Sequence, residues 1–412
     1  MKIFKFGGAS VKDANAVRNL RKIVNTHRSA SLLVVVSAMG KTTNFLEVIA
    51  DLSFKGNDYA SELKLLIKDH ESICMDLFGK IPAQVSNWFI KLDESLQSPG
   101  SSWYQYYDSI ISFGELISTT IVQLHLQESM ATTWIDAREY VRTNSKFTEA
   151  NVDWQLTEHI INKELPEILT KSIIVTQGFI GSDLTGKPTT LGREGSDYSG
   201  AIFAYCLKAE SLTVWKDVAG LLNADPKIFP NAQKFDELSF QEVSEMTYFG
   251  AKVIHPKTIR PLAQREIPLY VKSFLDSEAV GTKISNNDKQ STIPSFVFKG
   301  NQLLVTLRVL DSSFMDEKKL VKIFLAIEQA NVKVNLMHSS ALTFTFCFDL
   351  NHTKLDMLKD YFVRDFQLLY NENLLLITIK NYNEEAFSLI PTSGEMILEQ
   401  KTRHNYQVLR RI

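Results

Sequence analysis

An alternation of short apolar runs and amphipathic stretches constrains the fold of this chain more than any other sequence feature. The run SLLVVVSAM at residues 31–39 is almost wholly apolar, as expected of a strand covered on both faces of a sheet. Residues 14–27 before it and 43–54 after it place apolar side chains at helical spacing. Because parallel strands are joined through helices, the continued alternation predicts a mostly parallel sheet with helices on both faces.

Composition and charge exclude several classes of protein. The 412 residues suggest two or three domains, and 44% apolar with 22% charged residues is ordinary for a soluble protein. The net charge of −2 offers no electrostatic footprint for nucleic acid. No apolar run reaches the roughly 20 residues that cross a bilayer, and no signal peptide pattern opens the chain. The three separated cysteines suggest buried free thiols. We therefore expect a cytoplasmic protein with no nucleic acid or membrane partner.

The pattern changes near residue 285, where a polar stretch with a proline reads as a linker or surface loop. Beyond it, residues 301–371 give the order β-α-β-β-α-β, which is the ferredoxin-like unit. A further strand over 373–381 and two strand-like pieces, 395–402 and 405–412, follow. The run between them is too short for a full helix pair, so we expect a shortened second unit.

Two near-matches to a P-loop fail on single residues. Gly40-Lys41-Thr42 follows the apolar strand, but Val35 stands where the motif needs its first glycine. The segment GSDLTGKP at 181–188 has Pro188 in place of the magnesium-binding hydroxyl. Proline also disfavours the α-conformation at the residue before it. We therefore predict a hairpin turn at 181–188 and no P-loop at either place.

The segment KFGGASV near the N-terminus is a candidate phosphate site. A strand carrying Lys5 ends in Gly7 and Gly8, and a helix follows. Paired glycines let backbone amides approach phosphate oxygens, and a helix N-terminus adds partial positive charge. A tight strand-to-helix turn with a surface lysine is the alternative, because glycine pairs are common in turns.

The segment TLGREGSDYSG is a second candidate anion site. Its glycines, Arg193, Ser196 and Asp197 precede an amphipathic helix. Arginine is well shaped to grip a carboxylate or phosphate with two hydrogen bonds. The same pattern also predicts a capped helix with Ser196 or Asp197 as the N-cap, and both interpretations can hold together.

Three further segments carry charged residues whose role cannot be assigned from position alone. Glu115 lies in a long apolar stretch that begins near Trp103, where position by itself favours a solvent-facing side chain. Lys252 follows a glycine in FGAKVIHP, and His255 of that segment has no accompanying nucleophile or metal spacing, which favours a structural role. Residues 215–227 form a strand end followed by an acidic, turn-rich loop.

Taken in order, these segments resemble aspartate kinase, a branch of the amino-acid kinase superfamily. The resemblance spans residues 1 to about 285, and six linked motifs are more specific than any one of them. It rests on the segments KFGGASV, SAMGKTTN, SFGE, TLGREGSD, WKDVAGLLNADPK and FGAKVIHP.

The resemblance implies a fold. It is a three-layer αβα sandwich with a mostly parallel sheet over residues 1–285, followed by ferredoxin-like α+β ACT modules over 300–412. It also implies a reaction, in which MgATP and L-aspartate give 4-phospho-L-aspartate and MgADP. That is the first step of the lysine, threonine and methionine branch of amino-acid biosynthesis.

The resemblance also implies residue roles. Lys5 contacts the ATP phosphates, Glu115 pairs with the substrate ammonium and Arg193 with its carboxylate. The remaining positions divide into a substrate pocket (Ser37, Thr43, Ser196), a reacting centre (Asp197, with Lys5 and Lys252) and a nucleotide site (Gly7, Gly8, Lys216, Asp217, Lys227, Lys252, Val253). No residue is assigned as a metal ligand.

Some positions depart from the family pattern. Glu194 replaces the usual glycine in GRGGSD and adds negative charge beside the substrate loop. An inward carboxylate there would oppose phosphate binding, whereas an outward one would do nothing. Lys216 stands for the usual threonine, and Lys227 replaces arginine while keeping the charge.

The C-terminal region resembles the ACT modules of the family, which sense amino acids and form dimers. By that resemblance we expect a homodimer through this region and a lysine or threonine effector, with residues 331–346 similar to the effector-binding segment. Dimerisation without sensing is the alternative. Two rival functions also stay open: an amino-acid kinase with another carboxylate acceptor, and a non-catalytic amino-acid sensor.

Overall fold

Strands and helices alternate through most of the chain. The computed structural model describes residues 1–27, 31–251, 254–287, 291–311, 313–391 and 393–411. The strands are β1 Lys2–Phe6, β2 Leu32–Val36, β3 Thr132–Trp134, β4 Ile173–Gln177, β5 Ile180–Ser182, β6 Pro188–Thr190, β7 Ser211–Lys216, β8 Glu237–Ser239, β9 Leu269–Ser273, β10 Thr282–Ser285, β11 Ser295–Val309, β12 Leu336–Ser339, β13 Thr343–Asp349, β14 Phe366–Lys380, β15 Glu395–Lys401 and β16 Asn405–Arg411.

The helices fill the intervals between the strands, and residues 58–130 are mainly helical. A 3₁₀ helix spans Gly8–Val11. The α-helices are α1 Ala14–Thr26, α2 Thr42–Phe54, α3 Ala60–Phe78, α4 Ala83–Leu96, α5 Trp103–Gln127, α6 Ala137–Tyr140, α7 Trp154–Lys171, α8 Gly195–Cys206, α9 Phe240–Phe249, α10 Pro256–Gln264, α11 Glu317–Gln329, α12 His352–Phe362 and α13 Glu384–Ser388.

The chain folds into two compact units, and neither is one uninterrupted stretch. The first comprises Met1–Leu221, Lys234–Ser244 and Lys252–Gln290. The second comprises Leu222–Gln233, Glu245–Ala251 and Ser291–Ile412. Two short segments from the first two-thirds of the chain therefore pack with the C-terminal region.

An eight-stranded sheet forms the centre of the first unit. Its strand order is β3-β4-β2-β1-β7-β9-β10-β8, and only the β9–β10 pair is antiparallel. Every residue of β2 and β4 is buried, as predicted for strands covered on both faces. Strand order reverses at β1, between β2 and β7, and such a switch point is where open α/β sheets bind ligands.

The two-residue period of β1 separates a core face from a functional face. Phe4 and Phe6 belong to the core cluster that contains Leu20 of α1 and Ile117 of α5. Side chains alternate along a strand, so Lys5 points to the opposite face, where it meets α8. This places a charged side chain beneath the N-terminal turn of a helix.

Helix α5 runs through the interior of the first unit. By length and composition alone it could cross a bilayer, but 83% of its most apolar window is buried inside the protein. A helix that is apolar all round is a core helix in a folded domain. The interpretation of Glu115 as solvent-facing is wrong, because Glu115 is 3% exposed within this helix.

Two local predictions are confirmed. The segment 181–188 forms the antiparallel hairpin β5–β6, with Gly186 at a φ of 82° in its turn. Glycine suits that position because it adopts positive φ without a Cβ clash. All three cysteines are free and buried, and burial raises the pKa of each thiol to about 12.

The second unit contains an antiparallel six-stranded sheet of order β12-β13-β11-β14-β16-β15. The first four strands with α11 and α12 form the predicted ferredoxin-like unit, and its core includes Ile323, Leu358 and Phe346. Together the two sheets confirm the predicted fold class. The predicted strands 366–371 and 373–381 are instead one strand, β14, whose pairing with β11 shifts register near Gln302.

The second half of this sheet consists of β14, β16 and β15, and among its described residues it carries the five-residue helix α13. Its core also includes Ala224 and Phe229 from the segment 222–233, and Phe229 stacks on Phe296 with ring centroids 5.0 Å apart. A segment from far upstream in the chain thus contributes apolar side chains to the core of this half of the sheet.

Candidate active site

A cavity of about 690 Å³ lies in the first unit at the carboxyl ends of β1, β2 and β7. Most of the residues predicted for the site line it, although they come from five separate parts of the sequence. They are Lys5, Gly7, Gly8, Ser37, Thr43, Glu115, Arg193, Ser196, Asp197, Lys216 and Asp217.

The glycine turn after β1 packs directly on the loop after β2. The Gly40 N–H donates to the Gly8 carbonyl at 3.0 Å. A Cβ added at Gly8 would lie 2.8 Å from the Ala38 carbonyl oxygen, closer than real Cβ atoms come. Only glycine fits at position 8, because the turn after β1 and the loop after β2 approach each other closely there. Both segments line the cavity.

Three charged groups meet in the cavity. Lys5 Nζ lies 2.6 Å from Asp197 Oδ1, and Lys216 Nζ lies 3.6 Å from Asp197 Oδ2. Burial disfavours the ionised form of Asp197, but the charges of Lys5 and Lys216 outweigh it and hold the pKa of Asp197 below its usual value. The cluster brings two lysine side chains together at the place where an anion would enter.

Glu115 reaches the cavity from the middle of α5. Its Oε1 accepts a hydrogen bond from the Ala38 N–H at 3.2 Å, whereas Oε2 is buried without a hydrogen-bond partner. Burial raises the pKa of Glu115 to about 8, against the opposing effects of that N–H and of Lys5. One helical turn further on, the Ser118 hydroxyl donates to the Ser37 carbonyl at 2.7 Å. Helix α5 thus supports the loop that carries Ser37.

The N-terminus of α8 differs from the prediction. The prediction of Ser196 or Asp197 as the N-cap is wrong: the N-cap is Glu194, at φ 55° and without a side-chain capping bond. This left-handed conformation is one that glycine adopts most easily. Glu194 lines the cavity, and its Oε2 is buried with no hydrogen-bond partner. The neighbouring Arg193 is exposed.

Asp108 accepts hydrogen bonds from two residues that line the cavity, Thr148 and Thr190. The sequence interpretation did not single out Asp108. Its carboxylate is fully buried. It accepts hydrogen bonds from the Thr148 N–H at 2.8 Å, the Thr190 N–H at 2.9 Å and the Thr190 hydroxyl at 2.7 Å. Asp108 precedes Glu115 by seven residues on α5, so helical spacing could have placed both on one face.

An aromatic wall was also missed. Trp103, Tyr104 and Tyr107 line the same cavity, and Tyr107 donates to Glu47 Oε1 at 2.5 Å. Burial, together with the nearby carboxylates Glu47, Asp108 and Glu115, raises the pKa of Tyr107. Tyr107 is therefore neutral and donates a hydrogen bond to Glu47, which also lines the cavity.

Of the remaining predicted residues, one lies away from this cavity and two are not described by the structure. Lys227 lies in the segment 222–233 of the second unit and is not among the lining residues. Lys252 and Val253 lie outside the described residues. His255 caps α10, where its Nδ1 accepts from the Lys257 N–H at 3.1 Å, which is a structural role.

Comparisons with known proteins agree with the fold and the cavity. The sequence matches the amino acid kinase family over residues 1–273. It is 30% identical over 354 residues to lysine-sensitive aspartokinase 3 of Escherichia coli, covering 84% of this chain and 78% of that protein. The structure resembles E. coli aspartokinase III in complex with aspartate and ADP, at a TM-score of 0.82 and 27% identity over 100% of this chain and 96% of that one.

A second crystal structure of the E. coli enzyme, in complex with lysine and aspartate, has a TM-score of 0.80 and 28% identity, covering 99% of this chain and 95% of that one. The match to E. coli aspartokinase III extends through both units of this chain. The chain therefore belongs to the amino acid kinase family and, within it, to the aspartokinases, which confirms the predicted family.

Proposed function

We propose that this chain transfers the γ-phosphate of ATP to the side-chain carboxylate of L-aspartate, giving 4-phospho-L-aspartate. The observation that carries the proposal is the cavity in which Lys5, Lys216 and Asp197 lie beside a buried carboxylate, Glu115. The aspartokinase relatives support the reaction and the use of ATP. They also support its place at the start of the lysine, threonine and methionine branch.

The reaction needs positive charge around the phosphates more than it needs a general base to deprotonate the acceptor. The side chain of aspartate has an unperturbed pKa near 3.9, so its carboxylate is already ionised at neutral pH. One of its oxygens forms the new bond to phosphorus, and the old bond's electrons leave on the ADP oxygen. The difficulty is to bring one anion to another, and preorganised lysines and backbone N–H groups lower that barrier.

Within this scheme each group of residues has one role. Lys5 and Lys216, with backbone amides at Gly7 and Gly8, receive the phosphates. Asp197 forms ion pairs with both lysines and so holds their ammonium groups in place. Lys252, Val253, Asp217 and Lys227 complete the nucleotide site by resemblance.

The substrate's two backbone charges need partners of opposite sign. The unpartnered Oε2 of Glu115 is aimed into a buried site and suits an ammonium group. Arg193, on the exposed side of the cavity, suits the α-carboxylate because its fork binds both oxygens. Ser37, Thr43 and Ser196 complete the pocket.

Mg²⁺ is proposed as the metal that accompanies ATP. Among the described residues no three histidine, cysteine or acidic side chains cluster as a metal cage. Protein sites bind Mg²⁺ through one or two carboxylates and the substrate phosphates. Asp197 and Asp217 are the carboxylates beside the predicted phosphate turn. When bound, Mg²⁺ would neutralise the phosphate charge.

The regulatory proposals concern the C-terminal region. We propose a catalytic domain over 1–285 and a regulatory region over 300–412, in a cytoplasmic homodimer; the segments 222–233 and 245–251 belong to the catalytic domain by sequence and pack within the second unit. Apolar side chains exposed on α11 and on the edge strand β12 support a dimer through this region, since edge strands need cover; they are Val321, Phe324, Leu325 and Met337. Lysine is the proposed effector, with threonine second, because an E. coli relative binds lysine.

An acceptor panel tests the reaction. ATP-dependent hydroxamate formation is measured with aspartate, glutamate and acetylglutamate, each with and without lysine or threonine. The proposal expects turnover with aspartate only. Turnover with another acceptor would establish the rival kinase, and turnover with none would favour the non-catalytic sensor.

A further inference from the structure

Two loops of the first unit lie beside each other at the cavity. The first loop comprises residues 148–150 and the second comprises residues 190–193. The Ala150 N–H donates to the Thr190 carbonyl at 2.8 Å, which joins the two backbones. Four residues of these loops line the cavity: Thr148, Thr190, Gly192 and Arg193. The position of one loop therefore affects the position of the other.

One carboxylate, that of Asp108 on α5, binds both loops. Its Oδ2 accepts from the Thr148 N–H at 2.8 Å and from the Thr190 N–H at 2.9 Å. Its Oδ1 accepts from the Thr190 hydroxyl at 2.7 Å. Asp108 is 0% exposed, and a polar group buried so completely is stable only where hydrogen bonds replace its hydration. These three bonds therefore tie both loops to the helix.

The backbone of the first loop is strained at Thr148. Its φ is 68°, a left-handed conformation that is unusual for a β-branched residue. Such a conformation persists only where the surrounding structure holds it. The hydrogen bond from the Thr148 N–H to Asp108 is one such constraint. Without that carboxylate, we expect the first loop to relax and to displace the second.

Helix α5 carries Glu115 as well as Asp108. Seven residues span roughly 10 Å along a helix axis and return to nearly the same face. In the second loop, a Cβ added at Gly192 would lie 3.1 Å from Glu149 Cγ, so the residue before Arg193 packs closely on the first loop. The helix thus places Glu115 directly and the loop of Arg193 through Asp108.

The start of α8, which follows the second loop, has other supports. The Phe179 N–H donates to the Ser199 hydroxyl at 2.8 Å. A Cβ added at Gly178 would lie 2.7 Å from Ser196 Cβ, so the corner between β4 and β5 packs directly on the first turn of the helix. Asp197 is also held by its two lysine partners. The phosphate side of the cavity therefore depends less on the two loops.

We propose that Asp108 is a positioning residue for the amino-acid acceptor, because it holds the loop of Arg193 in place relative to Glu115. Binding of the acceptor's carboxylate by Arg193 and of its ammonium by Glu115 belongs to the proposed function, on which this inference rests. Asp108 acts through the two loops and not by contact with the acceptor. Its loss should weaken aspartate binding and spare ATP, because the phosphate-binding lysines lie on β1 and β7.

Three variants of the full-length protein test the proposal. Asp108→Ala removes the acceptor of two buried N–H groups. Asp108→Asn keeps an oxygen for both N–H groups, and its amide can donate to the Thr190 hydroxyl, so it should restore the loop positions without the charge. Ser112→Ala is the matched control, because Ser112 is also fully buried on α5 and donates to the Ser109 carbonyl of its own helix.

The assay measures kcat and the KM values for aspartate and ATP. Asp108→Ala should raise the aspartate KM roughly tenfold, since buried donors are left unpaired, and should keep the ATP KM within about twofold. Asp108→Asn and Ser112→Ala should keep both KM values within about threefold of wild type. If Asp108→Ala does not melt cooperatively, Asp108→Ser replaces it with the same expectation, because one shorter oxygen cannot serve both loops.

Three results would overturn the proposal. An unchanged aspartate KM in folded Asp108→Ala would show that the loops keep their positions without the carboxylate. Equal increases in both KM values would indicate general loosening of the site. An aspartate KM as high in Asp108→Asn as in Asp108→Ala would assign the effect to charge and not to position.

Hydrogen exchange distinguishes a failure of this inference from a failure of the proposed function. A wild-type protein with no turnover on aspartate would refute the proposed reaction. Exchange at the amides of residues 190–193 would then decide the role of Asp108. Asp108→Ala should accelerate that exchange about tenfold, and Asp108→Asn should leave it near the wild-type rate. Equal exchange in all three proteins would overturn the inference.

Discussion

Replacing Glu115 by glutamine should remove the pH dependence of aspartate binding. Glu115 is 3% exposed, and burial raises its pKa to about 8. In the empty site it is mainly protonated at pH 7, yet only the carboxylate can pair with an ammonium group. Aspartate binding must therefore displace that proton, and affinity should rise as the pH rises through 8.

The magnitude follows from the ionised fraction. With a pKa near 8, that fraction grows about tenfold between pH 7 and pH 9, and the wild-type KM for aspartate should fall by about the same factor. Glu115→Gln should show a flat KM profile over this range. Its KM at pH 9 should be ten- to a hundredfold higher than wild type, the usual cost of a hydrogen bond to a charged group.

As the pH rises, the stability of the wild-type protein should fall while its affinity for aspartate rises. A measurement of Tm therefore provides a control for folding. The native state holds a proton on Glu115 that the unfolded chain releases near pH 4.5, so this residue's contribution to the free energy of unfolding falls as pH rises towards 8. Glu115→Gln should therefore raise the Tm at pH 8 and change it little at pH 4.5. A steep wild-type-like KM profile in the folded variant would refute the assignment of the ammonium to Glu115.

Three further changes probe the rest of the account. Lys5→Ala should lower kcat by about 10²–10³, the cost of one preorganised charge contact, and near-normal kcat in the folded variant would remove Lys5 from the mechanism. Arg193→Lys should raise the aspartate KM with little change for ATP, since a bidentate contact is lost; the reverse pattern would mean that the two halves of the site are interchanged. Phe324→Asp on α11 should yield monomers in sedimentation, and lysine or threonine should inhibit the wild-type kinase; a monomeric wild type, or indifference to both amino acids, would refute the dimer or the effector respectively.

Local patterns predicted the parts of the site that depend on local backbone geometry. Glycines between β1 and the following helix predict a turn open to phosphate, and Gly8 indeed lies against the next loop. The hairpin at 181–188 and the ferredoxin-like order of elements were likewise readable, because turn residues and hydrophobic periods act over a few positions. The two-residue period of a strand by itself predicts that Lys5 points to the face of β1 opposite to Phe4 and Phe6.

Features that depend on packing between residues far apart in the sequence could not be predicted from local sequence patterns. Glu115 is buried because four other helices and the sheet surround α5, which no single segment reveals. Asp108 joins α5 to segments 40 and 82 residues away. Glu194 takes a left-handed conformation that propensity assigns to glycine, so a capping rule applied to Ser196 or Asp197 misplaced the start of α8.

The second unit also contains features that local sequence patterns did not predict. Strand β14 is continuous across Asn373, at a φ of 57°, where the polar residues between two apolar runs suggested a break. The segment 222–233 packs Phe229 on Phe296, a pairing across 67 residues of sequence that no local pattern indicates. Sequence separation, not composition, marks the limit of what could be predicted.

Direct observation of the product tests the central claim. ³¹P NMR of wild-type protein with MgATP and L-aspartate should show an acyl phosphate resonance that grows as the ATP γ-phosphate signal falls, and Lys5→Ala should form it far more slowly. Release of inorganic phosphate without an acyl phosphate, or an acyl phosphate formed equally fast when glutamate replaces aspartate, would contradict the assignment of this chain as an aspartate kinase.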